Sequence, residues 1–155
     1  MIKRTLTDEM IRHGLSKAHS SPRKRYPLLL HEHGAYFNEV FNFICQDSYM
    51  QPHLHPGSEK NEIIQVLRGA LAVLYFDENG MITEETRLDA EQFDSIEVPA
   101  FTWHTYVMLS SEVITYECMN GIYDPATWKQ FAPWAPSENS AEATPYLETL
   151  ALKLQ

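Results

Sequence analysis

The stretch PHLHPGSEKNEIIQVLRG (residues 52–69) decides the fold. Its histidines, His53 and His55, are separated by one residue, and side chains alternate between the two faces of a β-strand. Both imidazoles can therefore point to the same face of a sheet. The turn residues at 56–58, Pro-Gly-Ser, follow and can fold the next segment back beside the first.

The segment after this turn begins at Glu62, which shares a period of two with Ile64 and Val66 and so faces the interior with them. A carboxylate inside an apolar barrel must be neutralised or paired, and a metal cation would provide the partner. His104 lies in SIEVPAFTWHTYVML (95–109), where a Pro-containing turn re-enters a strand and returns a third imidazole to the same interior. We therefore predict that one divalent metal is bound by His53, His55, Glu62 and His104.

This donor set leaves the type of metal open. Three imidazoles and one carboxylate suit iron, manganese, nickel or zinc. Zinc held by all four in a tetrahedron would be mainly structural, whereas octahedral iron or manganese would keep two positions open for substrate, water or dioxygen. The alternative to metal binding is that the histidines are hydrogen-bonded core residues. Glu59 is a rival carboxylate, but its polar loop favours a solvated charge.

From about Tyr26 to Met119, short segments rich in β-branched and aromatic residues alternate with turn signals, a pattern typical of an antiparallel sandwich or barrel. A hairpin is predicted between LAVLYF and MITEETRL, across the turn residues 77–80. Before this region, apolar residues recur at helical spacing behind a capping Thr7, which predicts a helix to about Ser20.

The C-terminal part is rich in proline and aromatic residues and predicts an ordered, irregular wrap that ends in a short helix from about Tyr146 to Leu152. We predict one domain overall with three parts: an N-terminal helical extension at 1–22, the barrel at 23–120, and a C-terminal wrap packed on the barrel at 121–155.

The charge balance of the 155-residue chain argues against nucleic acid and anionic membranes as partners, because 21 acidic residues face 12 basic ones and the formal net charge is -9. No apolar run approaches the roughly 18 residues of a membrane span. We expect a cytoplasmic protein with a small-molecule ligand, and exposed strand edges would favour a homodimer. Cys45 and Cys118 are expected to be buried free thiols.

The stretch 52–69 also resembles the first cupin motif, in which two histidines separated by one residue are followed by a glutamate and then a glycine, here Gly69. The second cupin motif, a proline, a glycine and a histidine, is matched by Pro99 and His104, but Phe101 stands where glycine is usual. Because phenylalanine resists positive φ, we expect this turn to differ in backbone geometry.

A closer resemblance, over nearly the whole chain, is to the WbuC family of cupin-fold metalloproteins. It is carried by PHLHP and by SPRKRYPLLLHEH (21–33), KNEIIQVLRGALAVLYFDENG (60–80), VPAFTWHTYVML (98–109) and GIYDPATWKQFAPWAP (121–136). The resemblance implies an all-β fold, an antiparallel double-stranded β-helix (cupin or jelly-roll barrel) with an N-terminal helix, and the four metal ligands named above. Members occur with bacterial O-antigen and polysaccharide genes, without an agreed activity.

Two functions of different classes follow. The first is a metal-dependent enzyme of the cupin type, an isomerase or an oxygenase, that acts on a small polar or sugar-related metabolite of surface-polysaccharide biosynthesis. The second is a non-catalytic, metal-containing module that binds or senses a small ligand; a purely structural metal is a third reading. The barrel mouth is expected to carry weaker substrate-binding candidates: Arg25, His31, His33, Tyr123 and Asp124.

Overall fold

The computed structural model describes residues 4–155, so the first three residues of the predicted extension lie outside the described residues. Two helices flank ten strands. In chain order the elements are α1 (Asp8–Ser20), β1 (Arg25–Leu29), β2 (Phe37–Cys45), β3 (His53–Leu54), β4 (Glu62–Arg68), β5 (Ala70–Phe76), β6 (Ile82–Asp89), β7 (Ser95–Val98), β8 (His104–Met108), β9 (Glu112–Asn120), β10 (Gln130–Phe131) and α2 (Ala143–Lys153).

The strands form two five-stranded sheets, in the orders β1-β2-β9-β4-β7 and β10-β3-β8-β5-β6. Every strand pair is antiparallel, including the predicted hairpin, in which β5 pairs with β6 from Ala70↔Asp89 onward. The predicted all-β barrel with an N-terminal helix is therefore confirmed.

The apolar core lies between the two sheets, where inward-facing residues of both sheets meet. Along β4 the inward positions Ile64 and Val66 are buried, while Ile63 on the other face is 44% exposed. This core is formed by Ile44, Met50, Ile64, Val66, Leu71, Val73, Leu88, Val98, Tyr106, Met108 and Val113. The period of two thus separates core from surface, as the sequence predicts.

The N-terminal helix α1 packs on the outer face of the first sheet. Its cap is the predicted one, because the Thr7 hydroxyl accepts the Met10 N–H at 3.2 Å. At Gly14 the helix approaches β2 so closely that an added Cβ would lie 2.4 Å from the Phe43 ring. The helix therefore covers an apolar sheet face that would otherwise meet water.

The C-terminal segment crosses to the second sheet. Its short strand β10 pairs with β3, and α2 packs Leu150 and Leu154 onto the outer face of this sheet, against Leu74 and Val107. The predicted terminal helix is confirmed, although it begins at Ala143, three residues before the predicted start.

The turn that leads into β8 places Phe101 at a φ of 61°, in the left-handed region, so the expected resistance to positive φ does not exclude this backbone. The Phe101 side chain is 60% exposed, and its N–H donates to the His55 carbonyl at 3.0 Å. A left-handed non-glycine residue costs roughly 1–2 kcal/mol. Despite this strain, the turn leads into β8 so that His104 lies in the barrel interior.

Three further observations concern single residues and the membrane. Cys45 and Cys118 are both free and buried, as predicted. Trp103 packs outward against Trp134, with ring centroids 6.2 Å apart, on the face of the sheet opposite His104. Among residues 4–155, no helix is both long and apolar enough to cross a membrane.

Candidate metal centre

Three buried imidazoles converge at one end of the barrel interior. β3 and β8 pair at His53↔His104, and His55 follows two residues after His53, so strand alternation directs all three side chains inward. One donor nitrogen from each of His53, His55 and His104 lies within 4.8 Å of the other two. Such a group could hold a metal ion.

Each of these imidazoles is oriented by a backbone carbonyl. The Nδ1 atoms lie 2.9 Å from the Gln51 oxygen for His53, 2.9 Å from the Trp128 oxygen for His55, and 2.8 Å from the Thr102 oxygen for His104. A carbonyl can only accept, so each Nδ1 donates a proton and Nε2 is the ring atom that would bind a metal. At His55 the metal would replace the proton that Nε2 shares with Glu62.

The surroundings of the His104 Nε2 atom show that a metal fits this centre. His104 is fully buried, and its Nε2 finds no hydrogen-bond partner among residues 4–155. A buried polar atom left unpaired costs roughly 1–3 kcal/mol. Burial also lowers the pKa of His104, and burial together with nearby positive charge lowers the pKa of His53 well below its usual value. Both rings are therefore neutral with a free lone pair, the form that ligates metals.

Glu62 opens β4 and lies beside His55, with 2.8 Å between its Oε2 and the His55 Nε2. This distance is close to the separation of about 3 Å expected for two ligand atoms that bind one metal at about 2.1 Å and at right angles. Burial opposes ionisation of Glu62, but the hydrogen bond and charge of His55 outweigh burial and hold its pKa well below the usual range. Glu62 is nevertheless outside the 4.8 Å group, which contains the three histidines alone.

Two residues of the centre were missed by the sequence reasoning. The Tyr106 hydroxyl donates to Glu62 Oε1, and the Glu117 carboxyl lies against Glu62 and accepts from Thr115 Oγ1 at 2.7 Å. Burial, and next the charge of Glu62, raise the pKa of Glu117 to about 8. The signal was present: Tyr106 follows His104 by two, and Glu117 has the inward parity of Val113 and Thr115 on β9.

A cavity of about 460 Å³ opens above the imidazoles and leads to the surface. His53, His55 and Glu62 line its floor. Its lining combines apolar side chains of β1 and β2 with charged residues. Its other lining residues include Arg23, Arg25, Pro27, Leu29, His31, His33, Asn38, Val40, Asn42, Met50, Tyr106, Glu117, Met119, Tyr123, Trp128 and Lys129. Such a volume suits a metabolite of monosaccharide size.

The five weaker candidates do not all reach this cavity. Arg25, His31, His33 and Tyr123 line it. Asp124 lies outside, in an exposed turn where its carboxylate accepts the Ala126 N–H at 3.0 Å. Of the four that line the cavity, Arg25 is already engaged, because its guanidinium donates to Glu138 and, at 3.2 Å each, to the Ser48 hydroxyl and the Tyr49 carbonyl.

Lys129 is a further cavity residue that the sequence reasoning did not single out. Its side chain lies in the cavity, with its Nζ 6.0 Å from the centre of the Phe131 ring. Burial, and next the charge of Arg25, lower the pKa of Lys129. No periodic pattern in residues 121–136 could have indicated its orientation, since this segment is irregular except for β10.

Solved structures of similar fold include an oxalate oxidase in complex with the substrate analogue glycolate, with a TM-score of 0.58 and 18% identity over 92% of this chain and 73% of that chain. The capsular polysaccharide assembling protein CapF from Staphylococcus aureus has a TM-score of 0.53 and 18% identity over 68% of this chain and 34% of CapF. Bacillus subtilis oxalate decarboxylase, described with Mn(II) centres, has a TM-score of 0.50 and 13% identity over 62% and 24%.

These likenesses, all at low identity, establish the cupin (jelly-roll) fold and nothing finer. The chain spans about a quarter of the oxalate decarboxylase and about a third of CapF. None of the curated proteins matches the sequence. A family model described as "Domain of unknown function (DUF6016)" matches residues 6–88.

Proposed function

We propose that this chain, which belongs to the DUF6016 family, is a metal-dependent enzyme on a cupin barrel. It would act on a small polar or sugar-related metabolite of surface-polysaccharide biosynthesis. The observation that carries the proposal is the group of three buried, carbonyl-oriented imidazoles, two of which, His53 and His55, line a 460 Å³ cavity. A metal without an accessible cavity would favour a structural role instead.

The metal would be held by His53, His55 and His104, with Glu62 as the fourth ligand. The set of nitrogen and oxygen donors suits iron, manganese, nickel or zinc. When bound, such an ion supplies a Lewis acid or an activated water at the cavity floor. Binding it would also satisfy the otherwise unpaired Nε2 of His104.

The protein's own residues would position this centre and handle protons beside it. Tyr106 donates to Glu62 and so holds the orientation of that carboxylate. Glu117 lies against Glu62, and in the metal-free centre burial and the charge of Glu62 raise the pKa of Glu117 to about 8, so it can hold a proton there. Apolar side chains that line the cavity, among them Val40 and Met50, offer a nonpolar surface to a bound ligand. These are the conditions under which acid–base chemistry on a small molecule is efficient.

The proposed place in polysaccharide biosynthesis is supported by the resemblance of residues 21–33, 52–56, 60–80, 98–109 and 121–136 to the WbuC family. A weaker support is the shared fold of CapF, which is described as a capsular polysaccharide assembling protein. The cytoplasmic location, the homodimer and the three-part division at residues 22/23 and 120/121 stay predictions.

Metal analysis followed by spectroscopy tests the proposal. Protein purified without chelator or added metal should contain about one divalent ion per chain. Ferrous protein treated with nitric oxide should give an electron paramagnetic resonance signal that shifts when small sugars and sugar phosphates are added, because a ligand in the cavity would change the surroundings of a metal held by His53 and His55. Absence of a metal, or tetrahedral zinc with four protein ligands and no exchangeable water, would refute the enzyme.

The same experiment separates the enzyme from a non-catalytic module. A ligand that shifts the signal and is recovered unchanged after prolonged incubation with dioxygen and reductant would favour a binding or sensory role. Conversion of that ligand, followed by mass spectrometry and lost in a metal-free preparation, would support the enzyme.

A further inference from the structure

Lys129 lies where the C-terminal segment passes the histidine centre. β10 pairs antiparallel with β3, with Phe131 opposite His53 and Gln130 opposite Leu54. Continued by one residue, this register places Lys129 beside His55. In an antiparallel pair, directly opposed side chains share a face, so Lys129 and the half-exposed Phe131 lie on the same sheet face as the two histidines. The Lys129 side chain accordingly lies in the cavity.

The backbone that carries Lys129 is anchored on both sides. The Trp128 carbonyl contacts the His55 Nδ1 at 2.9 Å, and the Thr127 carbonyl accepts from the buried Lys60 Nζ at 3.0 Å. On the other side, the Ala132 N–H donates to the Pro52 carbonyl at 2.8 Å. The position of Lys129 is therefore determined by the barrel rather than by a free loop.

The Lys129 ammonium has no hydrogen-bond or ion-pair partner anywhere in residues 4–155. The carboxylates that act on its charge, Glu62 and Glu138, are already committed. Glu62 accepts from Tyr106 and contacts His55, while Glu138 is paired with both Arg23 and Arg25. A partly buried ammonium left without an acceptor is unfavourable unless a bound group or water supplies one.

The charge balance of the cavity indicates which chemical group would pair with the Lys129 ammonium. Arg23 and Arg25 share the single carboxylate of Glu138. Lys129 and a divalent cation in the histidine centre would then face Glu62 and Glu117. Positive charge would exceed negative charge even with both of these carboxylates ionised, so an anion is the ligand that restores balance.

We propose that Lys129 is the anion-recognition residue of the cavity, and that the ligand is a monosaccharide-sized molecule carrying a carboxylate or phosphate group held between Lys129 and the histidine centre. The inference rests on the proposed function and specifies its substrate class. Trp128 and Tyr123, whose ring centroids lie 5.2 Å apart, also line the cavity and offer aromatic surface to the uncharged part of such a ligand.

The test uses three sugars with the same ring: neutral galactose, galacturonate with a carboxylate at C6, and galactose 1-phosphate with a phosphate at C1. Their dissociation constants are measured by titration calorimetry on metal-loaded wild-type protein, Lys129→Met, Lys129→Arg and the control Lys153→Met, whose lysine is exposed on α2. Metal content and circular dichroism are measured on the same preparations. We expect at least one charged sugar to bind wild type about tenfold to a hundredfold more tightly than galactose, the ratio that one charge-assisted hydrogen bond provides.

Lys129→Met should remove this preference and leave galactose affinity and metal content unchanged. Lys129→Arg should retain much of the preference, and Lys153→Met all of it. The better of the two charged sugars shows whether a carboxylate at C6 or a phosphate at C1 is bound more tightly. Equal affinity for charged and neutral sugars in wild type, no detectable binding of either charged sugar at millimolar concentration, or an unchanged preference in Lys129→Met would overturn the inference. Metal absent from every preparation would instead refute the proposed function.

Discussion

The two halves of the barrel interior are built from the same strands yet differ in chemistry. On β4 the inward positions change from Glu62 to Ile64 and Val66, and on β8 they change from His104 through Tyr106 to Met108. The same change runs along β9 in the opposite chain direction, because β9 is antiparallel to β4. One half is therefore a closed apolar core, and the other is a polar floor under an open cavity.

This difference shows how stability and function are separated within one domain. The apolar half stabilises the fold by burying nonpolar surface, and this contribution does not depend on hydrogen-bond partners for polar atoms. The polar half holds buried donors and acceptors that are satisfied only in part, as the Nε2 of His104 shows. We expect substitutions in the two halves to have opposite signatures: loss of stability in one, and loss of metal and ligand in the other.

The largest effect is expected at His104, in the polar half. His104→Gln keeps the side-chain length but removes the imidazole donor, so metal affinity should fall by more than the roughly 10–100-fold typical of losing an outer-shell partner. Metal per chain is measured by mass spectrometry after dialysis. His13→Ala, on the exposed face of α1, is the matched control and should retain full metal. Equal metal content in the two variants would contradict the assignment of His104 as a ligand.

The second prediction concerns Leu71, which is fully buried in the apolar half. Leu71→Ala removes buried methyl groups and leaves a cavity, so the free energy of unfolding should fall by about 2–5 kcal/mol. Denaturant titration measures this loss, and metal content at low denaturant should stay that of wild type. A loss of metal without a loss of stability would show that the two halves are not separable.

The third prediction tests how charge holds the C-terminal segment over the polar half. Burial alone would raise the pKa of Glu138, but the charges and hydrogen bonds of Arg25 and Arg23 outweigh burial, and its pKa lies below the usual value. This stabilisation is present above the unfolded-state pKa of about 4.3 and is lost as pH falls through the folded-state pKa. Between pH 6 and pH 3, wild type should therefore lose about 1 kcal/mol more unfolding free energy than Glu138→Gln. If wild type and Glu138→Gln lose the same unfolding free energy over this pH range, the pairing of Glu138 with the two arginines does not stabilise the fold.

The smallest effect is expected in the turn before β8. Phe101→Gly removes a side chain that is 60% exposed and relieves a φ of 61°. The left-handed backbone favours glycine by roughly 1–2 kcal/mol, and the greater freedom of glycine in the unfolded chain offsets up to about 1 kcal/mol of this gain. We expect a small rise in melting temperature with unchanged metal content. A lower melting temperature would mean that the exposed Phe101 ring makes a stabilising contact.

Much of the fold could be predicted because local patterns report it directly. The Thr7 cap and helical spacing predicted α1, and the turn at residues 77–80 predicted the β5–β6 hairpin. The convergence of His53 and His104 followed from strand parity and from the return of the chain after Pro99. The less accurate parts were of two kinds: partners brought by distant strands, such as Glu117, and residues on irregular backbone, such as Lys129 and Asp124.

By itself, the sequence determined which side chains face inward along each strand, because alternation is a property of the extended backbone and needs no knowledge of neighbours. Only the tertiary structure decided which inward residues meet. Sheet order places Glu117 of β9 against Glu62 of β4, and the path of the C-terminal segment places Lys129 in the cavity that His53 and His55 line. These contacts depend on strand pairings between residues more than fifty positions apart, and such pairings are set by the packing of the whole barrel rather than by any local pattern.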